Sequence, residues 1–460
     1  MTDRVDTLVV GAGMAGLAYA HGRGPDAEVL VLEASDRAGG LVQTAHGEGC
    51  HWETGPEALQ DNEPELLALF EELSLPPLAA EEAARKRYLA QPGGGVVAVP
   101  SSAGTFLRSP VLGLGAKLGL LRGVFRKRGR IDGSIADFVR DRFGAQVLER
   151  MVDPVVSGIW AGDPELLSFE AALPAVHEMV SEHGSVMAAM KAKARARKAE
   201  GRPRPPSPSL LSAQGGLDVL PAAMSRSLGD RLITGCVAEA VAADGDGWRV
   251  EAQGRTLHAR RCVVALPAAR AAEVLAQDQP ALSQPLATVT SEHVVSVAHA
   301  WRREELSHPL DGFGYLVPSV CGAMHLGTLF SSSIQPGRAA PGQVLMRTLL
   351  GGARRPELLE ADDEALLDIV VREVGERLGA RPEARPVMHH LTRWRSVLPR
   401  YDLEHPSRQA TIDSVLSERS GLDIVGNHRR GISVNALVKT SRELARSHRE
   451  LDRDPGRNSG

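Results

Sequence analysis

The period of the hydrophobic positions changes several times along this chain, and each change predicts an element. Thr7-Leu8-Val9-Val10 is an apolar run closed by Gly11-Ala12-Gly13-Met14-Ala15-Gly16, and Val29-Leu30-Val31-Leu32 is a second one closed by Glu33. Short apolar runs bounded by turn residues predict strands buried on both faces, with a helix opening at Ala15-Gly16-Leu17 between them. A short strand and turn are expected at Cys50-His51-Trp52-Glu53-Thr54-Gly55-Pro56, and a helix over 64–75. Arg87-Tyr88-Leu89-Ala90 and Val96-Val97-Ala98-Val99, joined through Gly93-Gly94-Gly95, predict a hairpin. From 134 to 190 the spacing is helical, with breaks expected at Asp153-Pro154 and at Gly162-Asp163-Pro164.

The strand pattern then returns. Strands are expected at 232–237, 248–251, 256–259 and 262–267, the last as a separate buried strand, which resumes the first sheet after an insertion. Four more at 294–301, 314–318, 323–331 and 344–350 predict a second sheet, followed by a helix over 361–378. A final strand at 422–427 leads through Gly431 into a helix whose N-terminus is a second positive dipole end.

Charge modifies this picture in two places. Between 102 and 130, apolar residues such as Phe106, Leu107, Leu114, Leu118, Leu121 and Phe125 mix with Arg108, Lys117, Arg122, Arg126, Lys127, Arg128 and Arg130. Two readings stand for this basic amphipathic segment: contact with an anionic membrane surface, or a solvated basic helix end. The run 191–198 is rich in Lys and Arg and leads into the proline-rich stretch 201–208, a charged helix end followed by a linker expected to be disordered. No aromatic residues interleave those charges, and the net charge is −4, so nucleic-acid binding is not expected.

A chain of 460 residues has room for two or three domains. Cys50, Cys236, Cys262 and Cys321 are far apart and read as small buried apolar residues of a reducing compartment. No histidine set has metal-ligand spacing; His389 and His390 are adjacent, on opposite faces if they lie in a strand. The N-terminus runs straight into the first strand and no apolar run reaches bilayer length, so a cytoplasmic protein is expected.

The candidate chemistry begins at the first glycines. Gly11 suits a tight turn, Gly13 a close approach of backbone to a pyrophosphate, and Gly16 close packing of helix on strand. The helix N-terminus adds free N–H groups, and Glu33 is spaced to accept from a ribose hydroxyl. A second glycine pair follows in Arg37-Ala38-Gly39-Gly40-Leu41. Together with the turn at Gly55-Pro56, this resembles the FAD-binding amine oxidase and phytoene desaturase group, in which such a loop lies along the flavin. No Ser-His-Asp, Cys-His or paired-carboxylate constellation is found.

Longer stretches resemble one family more closely, the FAD-dependent protoporphyrinogen oxidases. They are Val156-Ser157-Gly158-Ile159-Trp160-Ala161-Gly162-Asp163-Pro164, Gly312-Phe313-Gly314-Tyr315-Leu316-Val317-Pro318, Gly327-Thr328-Leu329-Phe330-Ser331-Ser332-Ser333, Leu349-Leu350-Gly351-Gly352-Ala353-Arg354 and Gly426-Asn427-His428-Arg429-Arg430-Gly431-Ile432-Ser433-Val434. The resemblance implies an α/β, flavin amine oxidase-like fold: a discontinuous Rossmann-like FAD-binding domain, a mixed-sheet substrate domain and an inserted helical domain that docks on membrane. The expected boundaries are 1–75, 208–285 and 411–460 for the FAD part, 76–101 and 286–410 for the substrate part, and 102–207 for the helical part. It implies FAD held by Gly11, Ala12, Gly13, Met14, Ala15, Gly16, Glu33, Arg37, Gly40, Leu41, Gly55, Pro56, Glu57, Ala58, Val237, Trp394, Ile432, Ser433 and Val434, several through backbone atoms.

It also implies a porphyrinogen substrate, anchored through a propionate by Arg87, with Gly158 at the pocket floor and Leu316, Leu329 and Leu349 clamping the macrocycle. The implied reaction takes six electrons from protoporphyrinogen IX in three steps, with oxygen as final acceptor and hydrogen peroxide released. Peripheral contact with the inner face of the cell membrane is then the favoured reading of 102–130, and a homodimer is compatible with it. The chain departs from the family at Trp160, Gln335, Leu349 and Ser441, and the changes at Gln335 and Leu349 put substrate choice in question. Three alternatives are carried: oxidation of coproporphyrinogen III, whose four carboxylates want more cations than Arg87; a flavin amine oxidase or desaturase, disfavoured by only four tyrosines for an aromatic cage; and a catalytically silent FAD-binding partner protein.

Overall fold

The computed structural model describes residues 4–126, 129–199 and 209–453; Lys127, Arg128 and the proline-rich stretch 201–208 lie outside the described residues. Two seven-stranded sheets organise the chain. The first runs Leu232–Ile233, Val29–Leu32, Arg4–Val10, Arg255–Val264, Gly247–Ala252, Ala238–Asp244, with Leu422–Ile424 beside Arg255–Val264. Its central strands are parallel and carry the uninterrupted apolar runs, because helices cover both faces.

Arg255–Val264 replaces two expected strands with one. Its first half pairs antiparallel with Gly247–Ala252, and its second half pairs parallel with Arg4–Val10. Arg260 and Arg261 look like an interruption in the sequence. Both guanidiniums instead reach Asp452, at 2.6 and 2.7 Å, so the strand crosses from sheet edge to interior without a break. The strand expected at 232–237 stops at Ile233, because Gly235 adopts φ +65°.

The second sheet runs Met388–Pro399, Ser291–Arg302, Gln343–Gly351, His325–Leu329, Gly314–Leu316, Tyr88–Ala90, Val96–Ala98. It is mixed: Gly314–Leu316 pairs parallel with Tyr88–Ala90 and every other pairing is antiparallel. One face packs on a core of Val295, Val297, Tyr315, Phe330, Met346 and Leu350.

Between the segments of these sheets the chain is helical from Ala103 to Ala199. The break expected at Asp153-Pro154 is absent. Ala145–Val147, Leu148–Val152 and Asp153–Trp160 follow head to tail, and Leu148–Val152 forms a wide π-type turn. Such a turn shifts the hydrogen-bond ladder just before Pro154, which has no N–H to contribute. The break at 162–164 does occur, where Ala161 turns left-handed at φ +48°. Lys117 is buried, its ammonium donating to Leu107 O at 2.8 Å and Ser109 O at 2.9 Å, so it leaves the expected basic face. Cys50 and Cys262 are buried, whereas Cys236 and Cys321 are partly exposed.

Burial holds several imidazoles neutral. It lowers His299 and His428 to about 3 and His405 to about 4. Between those values and about 6.5 the unfolded chain binds the extra protons, so stability falls as pH drops. Glu53 opposes this: burial raises it to about 7, so the folded state gains its proton first as pH falls from 7 towards 4.5. Three groups against one leave a net loss, and Glu72, held low by hydrogen bonds from Arg442, adds to it at lower pH. We expect a lower Tm at pH 5 than at pH 7.5 by calorimetry at constant ionic strength. An equal or higher Tm at pH 5 would show that the imidazoles are protonated in place.

Candidate active site

The end of Arg4–Val10 shows why its glycines are where they are. At Gly11 (φ +105°) a Cβ would sit 2.7 Å from Ala265 O, and at Gly16 it would sit 2.0 Å from Gly11 O. The helix Met14–Arg23 therefore lies on the strand end at a separation only glycine permits. Gly13 is different: nothing lies within 4 Å of its would-be Cβ, and no side chain caps the helix it opens. The second glycine pair closes on this point, with Gly39 N–H donating to Ala12 O at 2.8 Å. A Cβ on Gly40 would come within 3.2 Å of Gly13 Cα.

Glu33 is aimed at the same place. Glu33 Oε2 accepts from Ala12 N–H at 2.8 Å and keeps lone-pair capacity, whereas Oε1 meets Ser35 N–H at 3.0 Å and Ser35 Oγ at 2.7 Å. Arg37 is committed to its own loop, donating to Ala38 O, Gly40 O and Gln43 Oε1. Val237 is brought alongside, because Cys236 N–H donates to Glu33 O at 2.8 Å.

The turn at Gly55-Pro56-Glu57-Ala58 is set by ions that the sequence did not disclose. A Cβ at Gly55 would lie 1.9 Å from Leu41 O, so this glycine too is required by close approach. Arg338 donates to Glu57 Oε1 at 2.7 Å, Glu53 Oε1 at 3.0 Å and Ser212 Oγ at 3.1 Å. Arg347 donates to Glu53 O at 2.7 Å and to Gly55 O, with its Nε 3.2 Å from Glu57 Oε2. All four side chains are buried. Glu57 thereby spends its side chain inside the protein. Trp394 Nε1–H donates to Thr54 O at 2.6 Å, fastening the turn to the second sheet. Two carboxylates four positions apart, in and beside the expected short strand and turn, were the available signal that cations lie opposite.

At the C-terminal helix, Ser433 Oγ accepts from Ala436 N–H at 3.1 Å, so its hydroxyl caps the helix. Tyr401 OH donates to Asn427 O at 2.6 Å and accepts from Gly431 N–H at 2.8 Å, fixing the approach to Ile432 and Val434.

The second sheet brings the other predicted residues together. Leu316 lies opposite Gly327, which lies opposite Leu349, while Leu329 lies opposite Gly314 and Arg347. Alternation puts all three leucines on one face. Each is partly exposed, whereas Tyr315, Val317, Thr328, Phe330, Thr348 and Leu350 beside them are buried. Register continues that face through Ser296 to Thr392 and Trp394 on one side, and through Leu89 to Arg87 on the other. Arg87 is exposed, its guanidinium 5.4 Å from the centroid of Phe313. Gly158 makes room for Leu316: a Cβ there would meet Leu316 Cδ2 at 2.4 Å. Gln335 is buried with its amide on Leu78 O, so this departure is accommodated in the interior. All four tyrosines are buried and spend their hydroxyls internally, on His448, Asp311, His325 and Asn427.

An open, uncapped helix end beside a carboxylate is a site for a dinucleotide, and the comparisons say which kind. The profile of flavin-containing amine oxidoreductases matches residues 14–435. The chain belongs to that family. It is an FAD-dependent oxidoreductase with a flavin amine oxidase-like fold, as the resemblance implied. It is similar to the chloroplastic protoporphyrinogen oxidase of Nicotiana tabacum, at 28% identity over 96% of this chain and 85% of that one. It is similar also to the coproporphyrinogen III oxidase of Propionibacterium freudenreichii subsp. freudenreichii, at 29% identity over 95% and 89%. A crystal structure of an Exiguobacterium sp. 255-15 protein superposes with a TM-score of 0.81 over 98% of this chain and 99% of that one, at 22% identity. The cradle of Gly11, Gly13, Gly40 and Glu33 fits FAD, and the Gly55 turn and the end of the Ser433-capped helix are the remaining contacts the geometry offers it.

The two glycines at the helix start predict opposite outcomes. Gly13→Ala meets no protein atom and keeps an ordinary φ of −68°, so the apoprotein Tm should stay near wild type while FAD content falls. Gly16→Ala drives a methyl into Gly11 O and should abolish soluble expression. Absorbance at the flavin band with a thermal melt separates the two, and full flavin content in Gly13→Ala would remove that position from the cofactor site.

Proposed function

We propose that this flavoenzyme oxidises protoporphyrinogen IX to protoporphyrin IX with oxygen as acceptor, in porphyrin biosynthesis. The observation that carries the reading is the shared face of Leu316, Leu329 and Leu349, with Arg87 at one side and Trp394 with the Gly55 turn at the other. An apolar macrocycle with carboxylates at its rim asks for this combination: a dry apolar clamp and a cation beyond it. Bound FAD supplies the two-electron acceptor.

The chain's own work is positional. The three leucines exclude water and hold the ring parallel to the sheet. Arg87 holds a propionate and thereby chooses which part of the ring faces the cofactor. Gly158 sets how far Leu316 is pushed back, and hence the depth of the slot. The internal use of all four tyrosines supports this over an amine substrate.

Relatives named for coproporphyrinogen III keep that substrate as the second reading. Side-by-side turnover should favour protoporphyrinogen, with peroxide released and fluorescent protoporphyrin formed. Faster oxidation of coproporphyrinogen would overturn the substrate assignment. In the same assay, Arg87→Ala should raise KM about tenfold if a charged pair with the substrate is lost. An unchanged KM would place Arg87 outside the site.

We infer further that the enzyme sits peripherally on the inner face of the cell membrane. Leu107, Leu114, Leu118, Leu121 and Phe125 are all exposed, Leu114 at 82% and Phe125 at 58%, on the helices Ala103–Arg108 and Leu114–Phe125. Arg108, Arg122 and Arg126 accompany them, a pattern suited to anionic lipid. Among the described residues no helix is long and apolar enough to cross a membrane. Co-sedimentation with phosphatidylglycerol vesicles should be strong and should be lost in Leu121→Glu/Phe125→Glu. Equal recovery of both proteins would refute the contact.

A further inference from the structure

Each leucine of the substrate face is preceded by a buried hydroxyl: Tyr315-Leu316, Thr328-Leu329 and Thr348-Leu349. Alternation sends the leucines to one face of the sheet and the hydroxyls to the other. The three hydroxyls form a row, because Tyr315 lies directly opposite Thr328 and Thr328 directly opposite Thr348. Their surroundings are otherwise apolar, made of Val295, Val297, Phe330, Met346 and Leu350.

The three hydroxyls belong to two hydrogen-bonded runs. Trp301 Nε1–H donates to His299 Nδ1 at 2.7 Å, and His299 Nε2 meets Thr348 Oγ1 at 2.8 Å. Thr348 Oγ1 and Thr328 Oγ1 are 2.9 Å apart, which ends the first run. Tyr315 OH lies 3.0 Å from His325 Nε2, and His325 Nδ1 lies 2.7 Å from Glu373 Oε2.

The two ends dictate the direction of every proton. An indole N–H only donates, so His299 accepts at Nδ1 and donates from Nε2 to Thr348. A carboxylate only accepts, so His325 donates from Nδ1 and accepts at Nε2 from Tyr315. Thr348 then donates to Thr328. Burial keeps His299 neutral, at about 3, as a single-proton ring requires. Two runs, each with one direction, have one satisfied arrangement of the strands they join, whereas an apolar face tolerates small slides.

We propose that these two runs are a positioning device for the substrate clamp, in which the Tyr315–His325 and Thr328–Thr348 contacts lock the three strands laterally so that Leu316, Leu329 and Leu349 stay aligned against the macrocycle. The inference rests on the porphyrinogen reading above, and the Tyr, Thr and His residues act through the leucines without touching substrate. A network serving stability alone would lower Tm when cut and leave substrate recognition intact.

The test uses the FAD-loaded full chain. Thr348→Val keeps the side-chain shape and cuts the first run, Tyr315→Phe removes one hydroxyl, Thr348→Ser restores the hydroxyl, and Leu350→Ala removes volume from the same core without touching either run. Thr348→Val and Tyr315→Phe should keep full flavin content and raise KM for protoporphyrinogen about tenfold, with kcat changed far less. Thr348→Ser should stay within about twofold of wild type, and Leu350→Ala should lower Tm with KM unmoved. Amide hydrogen exchange over 314–329 and 343–351 should be faster in Thr348→Val than in Thr348→Ser. Wild-type KM in both cut variants, or an equal rise in Leu350→Ala, would overturn the proposal. Failure of the wild-type protein to oxidise any porphyrinogen would instead overturn the functional reading. The exchange comparison would then decide the locking role alone, and equal exchange in the two Thr348 variants would overturn it.

Discussion

The buried ions Glu53, Glu57, Arg338 and Arg347 hold the Gly55 turn and the second sheet to one another. Glu53 ends the hairpin strand that follows the first glycine loops, and Arg347 lies in the second sheet, opposite Leu329. Arg347 binds the backbone of the Gly55 turn directly, and Arg338 joins both carboxylates to Ser212. Burying four charges is not a gain in stability by itself, since desolvation offsets most of their attraction. Removing one partner is costly, about 3–5 kcal/mol for a buried pair, because the others are left without water or counter-charge. The cluster therefore acts as a register pin, tolerating one placement of the Gly55 turn against the leucine face.

Glu53 shows the tension in that arrangement. Burial raises its carboxyl to about 7 although Arg338 pulls it down, and it also accepts from Thr44 Oγ1 at 2.9 Å and Leu217 N–H at 3.0 Å. Three segments distant in sequence thus converge on one side chain, as expected where separate stretches of chain must close around a cofactor.

What was legible in the sequence was what is local. Gly11, Gly13, Gly16 and Glu33 lie within one strand–helix–strand unit, so spacing alone exposed them, and the parallel strands announced themselves as apolar runs. Non-local compensation was not legible. Arg260-Arg261 read as a strand break because Asp452, nearly two hundred positions away, supplies the counter-charge. Asp153-Pro154 read as a helix break because a wide turn just upstream absorbs the missing N–H. Lys117 read as part of a basic face because the carbonyls that bind it, Leu107 O and Ser109 O, become acceptors only when the preceding helix ends there. Arg338 and Arg347 were missed for the same reason.

The second sheet combines the two cases. Its leucines stood out by family likeness alone, since Leu316, Leu329 and Leu349 are indistinguishable by type from core residues. Alternation and register turn them into a surface, and their half-exposure beside fully buried neighbours marks the face. A strand in this position has two duties at a spacing of one residue: to present an apolar plane on one side and to be held still on the other. Apolar packing can hold a strand with small slides in register, but an apolar plane shared by three separate strands needs a finer hold. Directional bonds from Tyr315, Thr328 and Thr348 meet that need from the protected side. The ion cluster pins the same sheet to the Gly55 turn from the open side.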